Sequence, residues 1–309
     1  MAGTRFSVVV AAFNASATIA QTIRSVFQQT ADDFELIIVD DGSTDDTVRR
    51  VRSLAEDRRV RVITQRNQGA SVARNTGIAE ASGSFISLLD ADDIWLPSYL
   101  EEMGRALDAE PNAGFAYTDA WLMNDVNHKV RRTSTMFYED PPDPPPQAPR
   151  DFFLRLLERN FVYNSVTVRR SIIEEVGGYD ESLRTCEDYE LWLRIAAHGI
   201  RGVRPPGLLA IYRSSPASLS GDMSRVIPDL CEVYRRYAHD SASDPEIKAL
   251  ADGRLAFWTE QLQLRQEPTV ASRSRLAAFH TKRALMGPWL WLRQPPADVE
   301  RTLRAVGEY

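Results

Sequence analysis

The chain has 309 residues and a formal net charge of −6 at pH 7, with 43% hydrophobic and 26% charged residues, as in a soluble globular protein. No run approaches the roughly 20 apolar residues of a membrane span. The acidic balance argues against generic nucleic-acid binding, and two cysteines are too few for a disulfide framework or a zinc cluster. These features favour a reducing cytoplasm, and the strand-like segment that starts at Phe6 predicts that no secretory signal precedes it.

The first part of the chain alternates short apolar runs with helical patterns. We predict strands at residues 6–10, 34–39, 60–63 and 85–89. The first helix has Ile19, Ile23, Val26 and Phe27 on one face. We expect Asn14 or Ser16 to cap it, and Ser43 or Thr44 to form a capping box for the second helix. Four β/α units predict a parallel, doubly wound sheet whose ligands bind at the carboxyl ends of the strands.

Two of these strands end in acids. Asp90, Asp92 and Asp93 follow the strand at 85–89, and hard oxygen donors on a fixed backbone suit Mg²⁺ or Mn²⁺, which would hold a phosphorylated substrate. Alternatively, Asp90 and Asp92 cap the turn that follows. Asp40 and Asp41 end the second strand, where a carboxylate can accept a hydrogen bond from a nucleobase imide or a ribose hydroxyl.

The loop after the third strand has features of a phosphate site. Gly69 permits a tight turn, and the helix that starts near Ser71 offers a positive amino end. Arg74 lies one turn into this helix and could present a cationic fork to a diphosphate, although a solvated helix arginine is the plainer interpretation.

The second part of the chain is less regular. We predict helices at 98–109, 150–159 and 171–176, strands at 114–118, 164–168 and 208–213 (the last at a sheet edge), and either a short strand pair or an irregular excursion within 121–136. The proline-rich segment at 141–149 should be an exposed loop. From residue 224 the chain is mostly helical, and residues 289–291 either anchor on a membrane surface or pack against the protein.

Glu187 and Asp188 open a further predicted helix. Acids at the amino end of a helix complement its dipole, and this effect is sufficient to explain an acid at Glu187. Asp188 could instead project into the cleft and act as a base.

Together these segments resemble family 2 glycosyltransferases of the GT-A fold, over residues 5–215. The resemblance rests on six motifs, in order: VVVAAFN (8–14), VDDGSTD (39–45), NQG with ARN (67–69, 73–75), LDADD (89–93), GGYDE (177–181), and EDY with Trp192 and Arg194. It implies an α/β GT-A fold, a Rossmann-like, doubly wound, mostly parallel sheet with a small antiparallel portion. A catalytic domain would cover residues 1–220, with a nucleotide-sugar half at 1–119 and an acceptor half at 120–220. A helical C-terminal extension would cover 221–309.

The resemblance also assigns site residues. Those expected to bind the nucleotide sugar are Ala11, Phe13, Asp41, Asn67, Gly69, Arg74, Asp90 and Ala91. Asp41 would pair with the base and Arg74 would lie near the diphosphate. Asp90 and Asp92 match the DXD motif for Mn²⁺ or Mg²⁺: Asp92 would contact the metal directly, and Asp90 would face the ribose or a metal-bound water. Asp188 would be the catalytic base, with Glu187 orienting it or the acceptor.

The implied activity is inverting transfer of a sugar from a nucleoside-diphosphate sugar to a hydroxyl of a glycan or lipid-linked glycan, in bacterial surface polysaccharide synthesis. The enzyme would be cytoplasmic. The resemblance leaves open whether its C-terminal region contacts the inner face of the membrane peripherally. It also leaves the oligomeric state open. The sequence departs from the family pattern at one place. Many relatives carry a histidine after a Tyr-Arg pair, whereas here Ser214, Ser215 and Pro216 follow Tyr212-Arg213. We expect Arg213 and Ser215 to close over the donor instead.

Two other functions fit the sequence less well. A sugar-phosphate nucleotidyltransferase should carry its Gly-rich loop after the first strand, whereas Gly3-Thr4-Arg5 precedes it. A catalytically inactive GT-A scaffold in a glycan-assembly complex would not need Asp41, Asp90, Asp92 and Asp188 together. The absence of G-x-G-x-x-G and of a P-loop argues against a dinucleotide oxidoreductase or a P-loop enzyme.

Overall fold

The computed structural model describes residues 4–55, 57–124, 130–133, 144–162, 165–214, 222–239, 244–266 and 295–307. The helices are α1 (Ile19–Phe27), α2 (Thr47–Leu54), α3 (Ala70–Ala79), α4 (Tyr99–Ala109), α5 (Pro149–Glu158), α6 (Arg170–Glu175), α7 (Glu187–Ala197), α8 (Met223–His239), α9 (Pro245–Gln266) and α10 (Ala297–Val306).

The main sheet has seven strands in the order β10-β6-β9-β4-β1-β2-β3. They are β1 (Phe6–Ala12), β2 (Phe34–Asp40), β3 (Val60–Thr64), β4 (Phe85–Leu88), β6 (Ala113–Tyr117), β9 (Val166–Arg169) and β10 (Arg201–Val203). Only β9 runs antiparallel to its neighbours, β4 and β6. The carboxyl ends of the other six strands therefore share one edge of the sheet, as the predicted fold requires.

A second sheet of four strands has the order β5-β11-β7-β8. Its strands are β5 (Ile94–Trp95), β7 (Asp119–Asn124), β8 (Val130–Thr133) and β11 (Leu208–Ser214). The antiparallel pair β7–β8 confirms the strand pair expected within 121–136. The prediction of an edge position for the strand at 208–213 was wrong, because β11 is paired on both sides, with β5 and β7.

Helices cover both faces of the main sheet because side chains alternate along each strand. Phe6, Val8 and Val10 point to the face that α1, α2 and α4 cover. Val9 points to the opposite face, where it packs with residues of α3, α5 and α7. This two-sided burial explains why the strands read as continuous apolar runs rather than alternating ones.

Both predictions of helix caps were wrong. Helix α1 follows Thr18 and α2 follows Asp46, and neither residue makes a side-chain cap hydrogen bond. The expected capping residues instead tie two loops together, since the Asn14 amide donates to Ser43 Oγ and the Thr44 amide donates to Asn14 Oδ1. The loop after β1 is thereby fixed to the loop after β2.

The C-terminal helices pack in two places. Helices α8 and α9 extend the apolar core around α5 and α7, whereas α10 packs against the second sheet. Among the residues that the structure describes, no helix has the length and apolarity needed to cross a membrane. Residues 289–291, Ser215 and part of the proline-rich segment lie outside the described residues.

Two helical glycines provide a test of how tightly α3 packs on the sheet. A Cβ at Gly77 would collide with Val9 Cγ1, whereas a Cβ at Gly253 in α9 would meet nothing within 4 Å. We expect Gly77→Ala to lower the free energy of unfolding by about 1–3 kcal/mol through overpacking. Gly253→Ala should raise it by up to about 1 kcal/mol through helix propensity. Urea denaturation measures both, and equal effects would contradict the packing argument.

Candidate active site

Asp41, which follows β2, organises the loop after β3. Its Oδ1 accepts hydrogen bonds from Gln65 Nε2 at 2.8 Å and the Gln68 amide at 3.0 Å, and its Oδ2 accepts one from the Gly69 amide at 2.8 Å. The side chain is only 3% exposed. A carboxylate has about four lone-pair positions, so three donors leave room for about one more, such as an imide N–H. The base-pairing role of Asp41 stays a prediction.

The backbone of this loop lies directly on Gly42. A Cβ at that position would lie 2.9 Å from the amide nitrogen of Asn67, and φ is +78°, so both space and conformation require glycine. Gly69 has φ +99° and immediately precedes α3, so the loop that Asp41 holds also sets where α3 begins.

The loop after β1 exposes an aromatic ring. Phe13 is 49% exposed although it is a large apolar residue, and Asn14 beside it adopts a left-handed conformation with φ +49°. Ala11, also assigned to the nucleoside, lies on β1 and is half-buried. Asn67 lies at the surface of the adjoining loop.

The acids after β4 have different environments. Asp92 is exposed, whereas Asp93 is buried and accepts a hydrogen bond from the Arg213 amide at 3.1 Å. Burial, together with the charges of Asp92 and Asp90, holds the pKa of Asp93 well above its ordinary value. Arg213 Nε donates to the Asp92 carbonyl at 2.9 Å, which fixes the backbone of the loop.

Ala91 is held from the opposite side of this loop. Its carbonyl accepts hydrogen bonds from the hydroxyls of Thr18 at 2.9 Å and Thr22 at 3.0 Å, both on the α1 side. The backbone that presents Asp90 and Asp92 is therefore rigid, which suits a ligand-binding position.

Arg74 joins three segments of the chain. From α3, its Nη2 donates to Asp90 Oδ1 at 2.7 Å and its Nη1 donates to Glu187 Oε1 at 2.6 Å, and its guanidinium lies 5.2 Å from the centre of the Tyr179 ring. Burial works against its charge, but the two carboxylates outweigh burial and raise its pKa well above the ordinary value. The alternative of a solvated arginine is wrong, because the side chain is only 12% exposed.

Asn75, the next residue of α3, positions Tyr179. Its Nδ2 donates to the Tyr179 carbonyl at 2.9 Å and its Oδ1 accepts from the Tyr179 amide at 2.8 Å. A Cβ at Gly178 would lie 2.6 Å from Asn75 Oδ1, and φ is +72° there, so this contact requires glycine. The roles of Asn75, Tyr179 and Gln65 could not be read from the sequence, since their partners are far away along the chain.

Glu187 and Asp188 form the first turn of α7. Asp188 is half-buried, and its Oδ1 accepts a hydrogen bond from the Tyr189 amide at 2.7 Å. Burial and the adjacent Glu187 carboxylate raise the pKa of Asp188 to about 7. A carboxylate with that pKa, beside a fixed cation, is suited to general base chemistry near neutral pH.

The charges of this cluster suit a divalent cation. Two carboxylates, of Asp90 and Glu187, pair with one guanidinium, and Asp92 adds a third acid nearby in sequence, so an incoming diphosphate would meet net negative charge. Within the described part of the chain, no group of three or more His, Cys, Asp or Glu side chains could hold a metal alone. One or two carboxylates that share a cation with substrate phosphates are typical of Mg²⁺ and Mn²⁺ sites, and the residues present fit that arrangement.

The predicted site residues thus lie along one edge and are linked through α3. Asp41 holds the start of this helix, and Arg74 within it contacts Asp90 and Glu187. Asp92 lies close to Asp90 in the sequence, and Asp188 directly follows Glu187. These contacts bring one arginine and several carboxylates together at the carboxyl edge of a mostly parallel α/β sheet.

Comparison with known proteins agrees with this geometry. The Glycosyl transferase family 2 model matches residues 7–177, more than half of the chain, and the chain belongs to this family. Two similar proteins are the Escherichia coli UDP-Glc:alpha-D-GlcNAc-diphosphoundecaprenol beta-1,3-glucosyltransferase WfgD (30% identical, covering 70% of this chain and 79% of WfgD) and the Rhizobium meliloti succinoglycan biosynthesis protein ExoO (35%, covering 69% and 61%). The chain spans only 27–30% of the length of three matched Rickettsia glycosyltransferases.

A solved structure confirms the predicted fold. The mannosyltransferase PcManGT from Pyrobaculum calidifontis, in complex with GDP-Man and Mn²⁺, superimposes with a TM-score of 0.62 at 19% identity, covering 99% of this chain and 86% of that one. The chain therefore has the GT-A fold, and its C-terminal helices follow the catalytic region as expected.

Arg74 should matter for stability as well as for the site. Arg74→Met would leave the carboxylates of Asp90 and Glu187 without their partner, and we expect the free energy of unfolding to fall by about 3 kcal/mol. Arg61 is a matched control, because it also contacts two carboxylates, Glu35 and Glu80, but is 47% exposed. Arg61→Met should cost less than about 1 kcal/mol. Similar losses for both variants in urea denaturation would contradict the linking role of Arg74.

The raised pKa of Asp188 predicts a dependence of stability on pH. The folded pKa, about 7, lies above the ordinary 3.8. Protonated Asp188 therefore contributes its full stabilisation of the folded state below about pH 4, and this contribution is lost as the pH rises through 7. Relative to the native chain, Asp188→Asn should be more stable by about 4 kcal/mol at pH 8, and this advantage should be smaller at pH 5. Asp151→Asn, at an exposed acid, is the control. If the free energy of unfolding of Asp188→Asn differs from that of the native chain by the same amount at every pH, the raised pKa of Asp188 is refuted.

Proposed function

We propose that this protein is an inverting glycosyltransferase that moves a sugar from a nucleoside-diphosphate sugar to a hydroxyl of a glycan or lipid-linked glycan. The observation that carries the proposal is the ion-pair bridge of Arg74, which brings the DXD carboxylate Asp90 and the first turn of α7, with Asp188, to one edge of the sheet. The family match favours this reaction over nucleotidyl transfer.

Asp188 is proposed as the base. In an inverting displacement the acceptor hydroxyl attacks the face of the sugar opposite the departing phosphate and must lose its proton as it does so. A carboxylate whose pKa is about 7 accepts that proton readily while remaining largely ionised at slightly alkaline pH. Glu187, engaged by Arg74, keeps the start of α7 in place rather than acting as a second base.

Asp90 and Asp92 are proposed to hold Mn²⁺ or Mg²⁺ together with the diphosphate. Such a cation, when bound, neutralises the charge that develops on the leaving phosphate. The protein prepares this position by fixing the backbone between Asp90 and Asp93, through the hydroxyls of Thr18 and Thr22 and the side chain of Arg213. Arg74 adds a positive charge beside Asp90 that would face the same diphosphate.

The nucleoside is proposed to lie between the loops after β1 and β3. The exposed ring of Phe13 offers a surface on which a base can stack, and Asp41 has about one acceptor position left for an imide N–H. Both features fit a uracil or guanine base. The acceptor class is inferred from WfgD, whose name gives a diphosphoundecaprenol acceptor, and from ExoO, named for succinoglycan biosynthesis.

Donor binding is tested by melting temperature. The protein is heated with UDP-glucose, UDP-N-acetylglucosamine or GDP-mannose, each with and without MnCl₂ or MgCl₂. We expect one nucleotide to raise the melting temperature by several degrees only when the metal is present, and Asp92→Ala to abolish that rise. Asp32→Ala, an exposed acid at the opposite edge of the sheet, is the control. Equal stabilisation without metal, or in Asp92→Ala, would refute the metal-assisted site.

Turnover tests the base. With the best donor of that panel, we expect Asp188→Asn to bind the nucleotide normally but to lose about 10²- to 10⁴-fold in transfer rate. In the native protein the rate should rise with pH through an inflection near 7, because only the ionised carboxylate accepts the proton. Full turnover by Asp188→Asn would overturn the assignment.

A further inference from the structure

The turn that leads into Glu187 and Asp188 is held in an unfavourable backbone conformation. Cys186 immediately precedes α7 and has φ +59°, in the left-handed region, although it is not glycine. Its side chain makes no cap hydrogen bond to the helix. A left-handed non-glycine residue costs about 1–2 kcal/mol, so neighbouring structure must stabilise this turn.

That support comes from α8 in the C-terminal extension. Asp229 Oδ2 accepts hydrogen bonds from the Arg184 amide at 3.0 Å, the Thr185 amide at 2.8 Å and Thr185 Oγ1 at 2.9 Å. Three donors from two consecutive residues thus converge on one carboxylate oxygen. Hydrogen bonds to a charged acceptor are roughly twice as strong as neutral ones, so this one side chain restrains the turn strongly.

Helix α8 also contacts the two ends of the segment around this turn. Before the turn, Arg236 Nη1 donates to Asp180 Oδ2 at 2.7 Å. After it, the hydroxyls of Tyr234 and Tyr189 are 3.1 Å apart. The segment between Tyr179 and α7 therefore lies between two anchors, α3 through Asn75 and α8 through Asp229 and Arg236.

We propose that Asp229 is a positioning residue for the Glu187–Asp188 pair, which it holds through the turn at 184–186. The inference rests on the proposed role of Asp188 as base. Among the described residues, the hydrogen bonds of the Asp229 side chain go to the turn, and Asp229 acts through it. If the turn is released, the first turn of α7 moves relative to Arg74, and the carboxylate of Asp188 is no longer held where the acceptor hydroxyl must be deprotonated.

The effect should appear in the pH profile. Asp188 faces Glu187 on its own helix, Arg74 on α3, Asp90 after β4, and Cys186 and Tyr179 on the adjoining segment. Loosening the turn admits water to Asp188, and hydration favours its charged form. The inflection in rate should therefore move from about 7 toward the lower pH of an ordinary carboxyl group. Simple loss of folded protein would lower the rate without moving the inflection.

The experiment compares Asp229→Ala with Asp222→Ala on the full chain. Asp222 also lies at the start of α8, and within the described residues its side chain bonds to Ser224 and Arg225 of the same helix. Release of nucleoside diphosphate is measured with UDP-glucose, UDP-N-acetylglucosamine and GDP-mannose in MnCl₂. For Asp229→Ala we expect kcat to fall at least tenfold, KM for the donor to stay within twofold, and the inflection to fall below 7. Asp222→Ala should keep the native profile.

Hydrogen exchange provides a readout that is independent of substrate. The amides of Arg184 and Thr185 should exchange at least tenfold faster in Asp229→Ala than in the native chain or Asp222→Ala. If Asp229→Ala folds poorly, Thr185→Val is the alternative variant, because it removes one of the three donors and keeps both amides. It should lower kcat and move the inflection to lower pH, each by less than Asp229→Ala is expected to.

The possible failures are distinguishable. Native kcat and pH profile in Asp229→Ala, in a protein whose Asp188→Asn variant is inactive, would refute the positioning role alone. Full turnover by Asp188→Asn would refute the base assignment, and the positioning inference with it. A lowered kcat with an unchanged inflection in both Asp229→Ala and Thr185→Val would show a structural role only and would also overturn the proposal.

Discussion

The site depends on one guanidinium that holds two carboxylates from distant parts of the chain. Arg74 is sixteen residues from Asp90 and 113 from Glu187 in sequence, yet it binds both within 2.7 Å. A planar, permanently charged fork can hold two carboxylates at fixed angles, which a lysine cannot do. Because Arg74 lies on a helix packed on the sheet, these angles are set by the fold. An early part of the chain, which carries Asp90, and a later part, which carries Glu187, therefore meet at this contact.

The acids around this contact include two with raised pKa values. Burial and like-charged neighbours raise the pKa of Asp93 and Asp188, although Arg213 partly offsets this effect at Asp93 and Arg74 does so at Asp188. An edge that collects acids would repel itself if all were ionised. The charge of Arg74 and two raised pKa values reduce that repulsion, and the pKa of about 7 at Asp188 is part of that balance.

The sequence predicts the elements that depend on local pattern and misses what depends on distant partners. The four β/α units and the pair β7–β8 follow from apolar periodicity, and the carboxyl edge of the sheet could be located from them. The caps at Asn14 and Ser43 were wrong because those polar groups bond across two loops instead of along their own helices. The apolar pattern of β11 fits an edge strand or an interior strand equally well, because its position in the sheet depends on the strands that pair with it. No signal in the sequence links Asp229 to a turn 44 residues earlier.

That last contact bears on where the catalytic unit ends. The family match stops at residue 177, before α7 and α8 begin. The start of α7, which carries Glu187 and Asp188, is nevertheless restrained by two other helices, by α3 through Arg74 and by α8 through Asp229 and the preceding turn. A helix held by one contact only could rock about it, and its first turn would move the most. Because one of the two restraints comes from α8, a helix beyond the family match helps to set the position of Glu187 and Asp188.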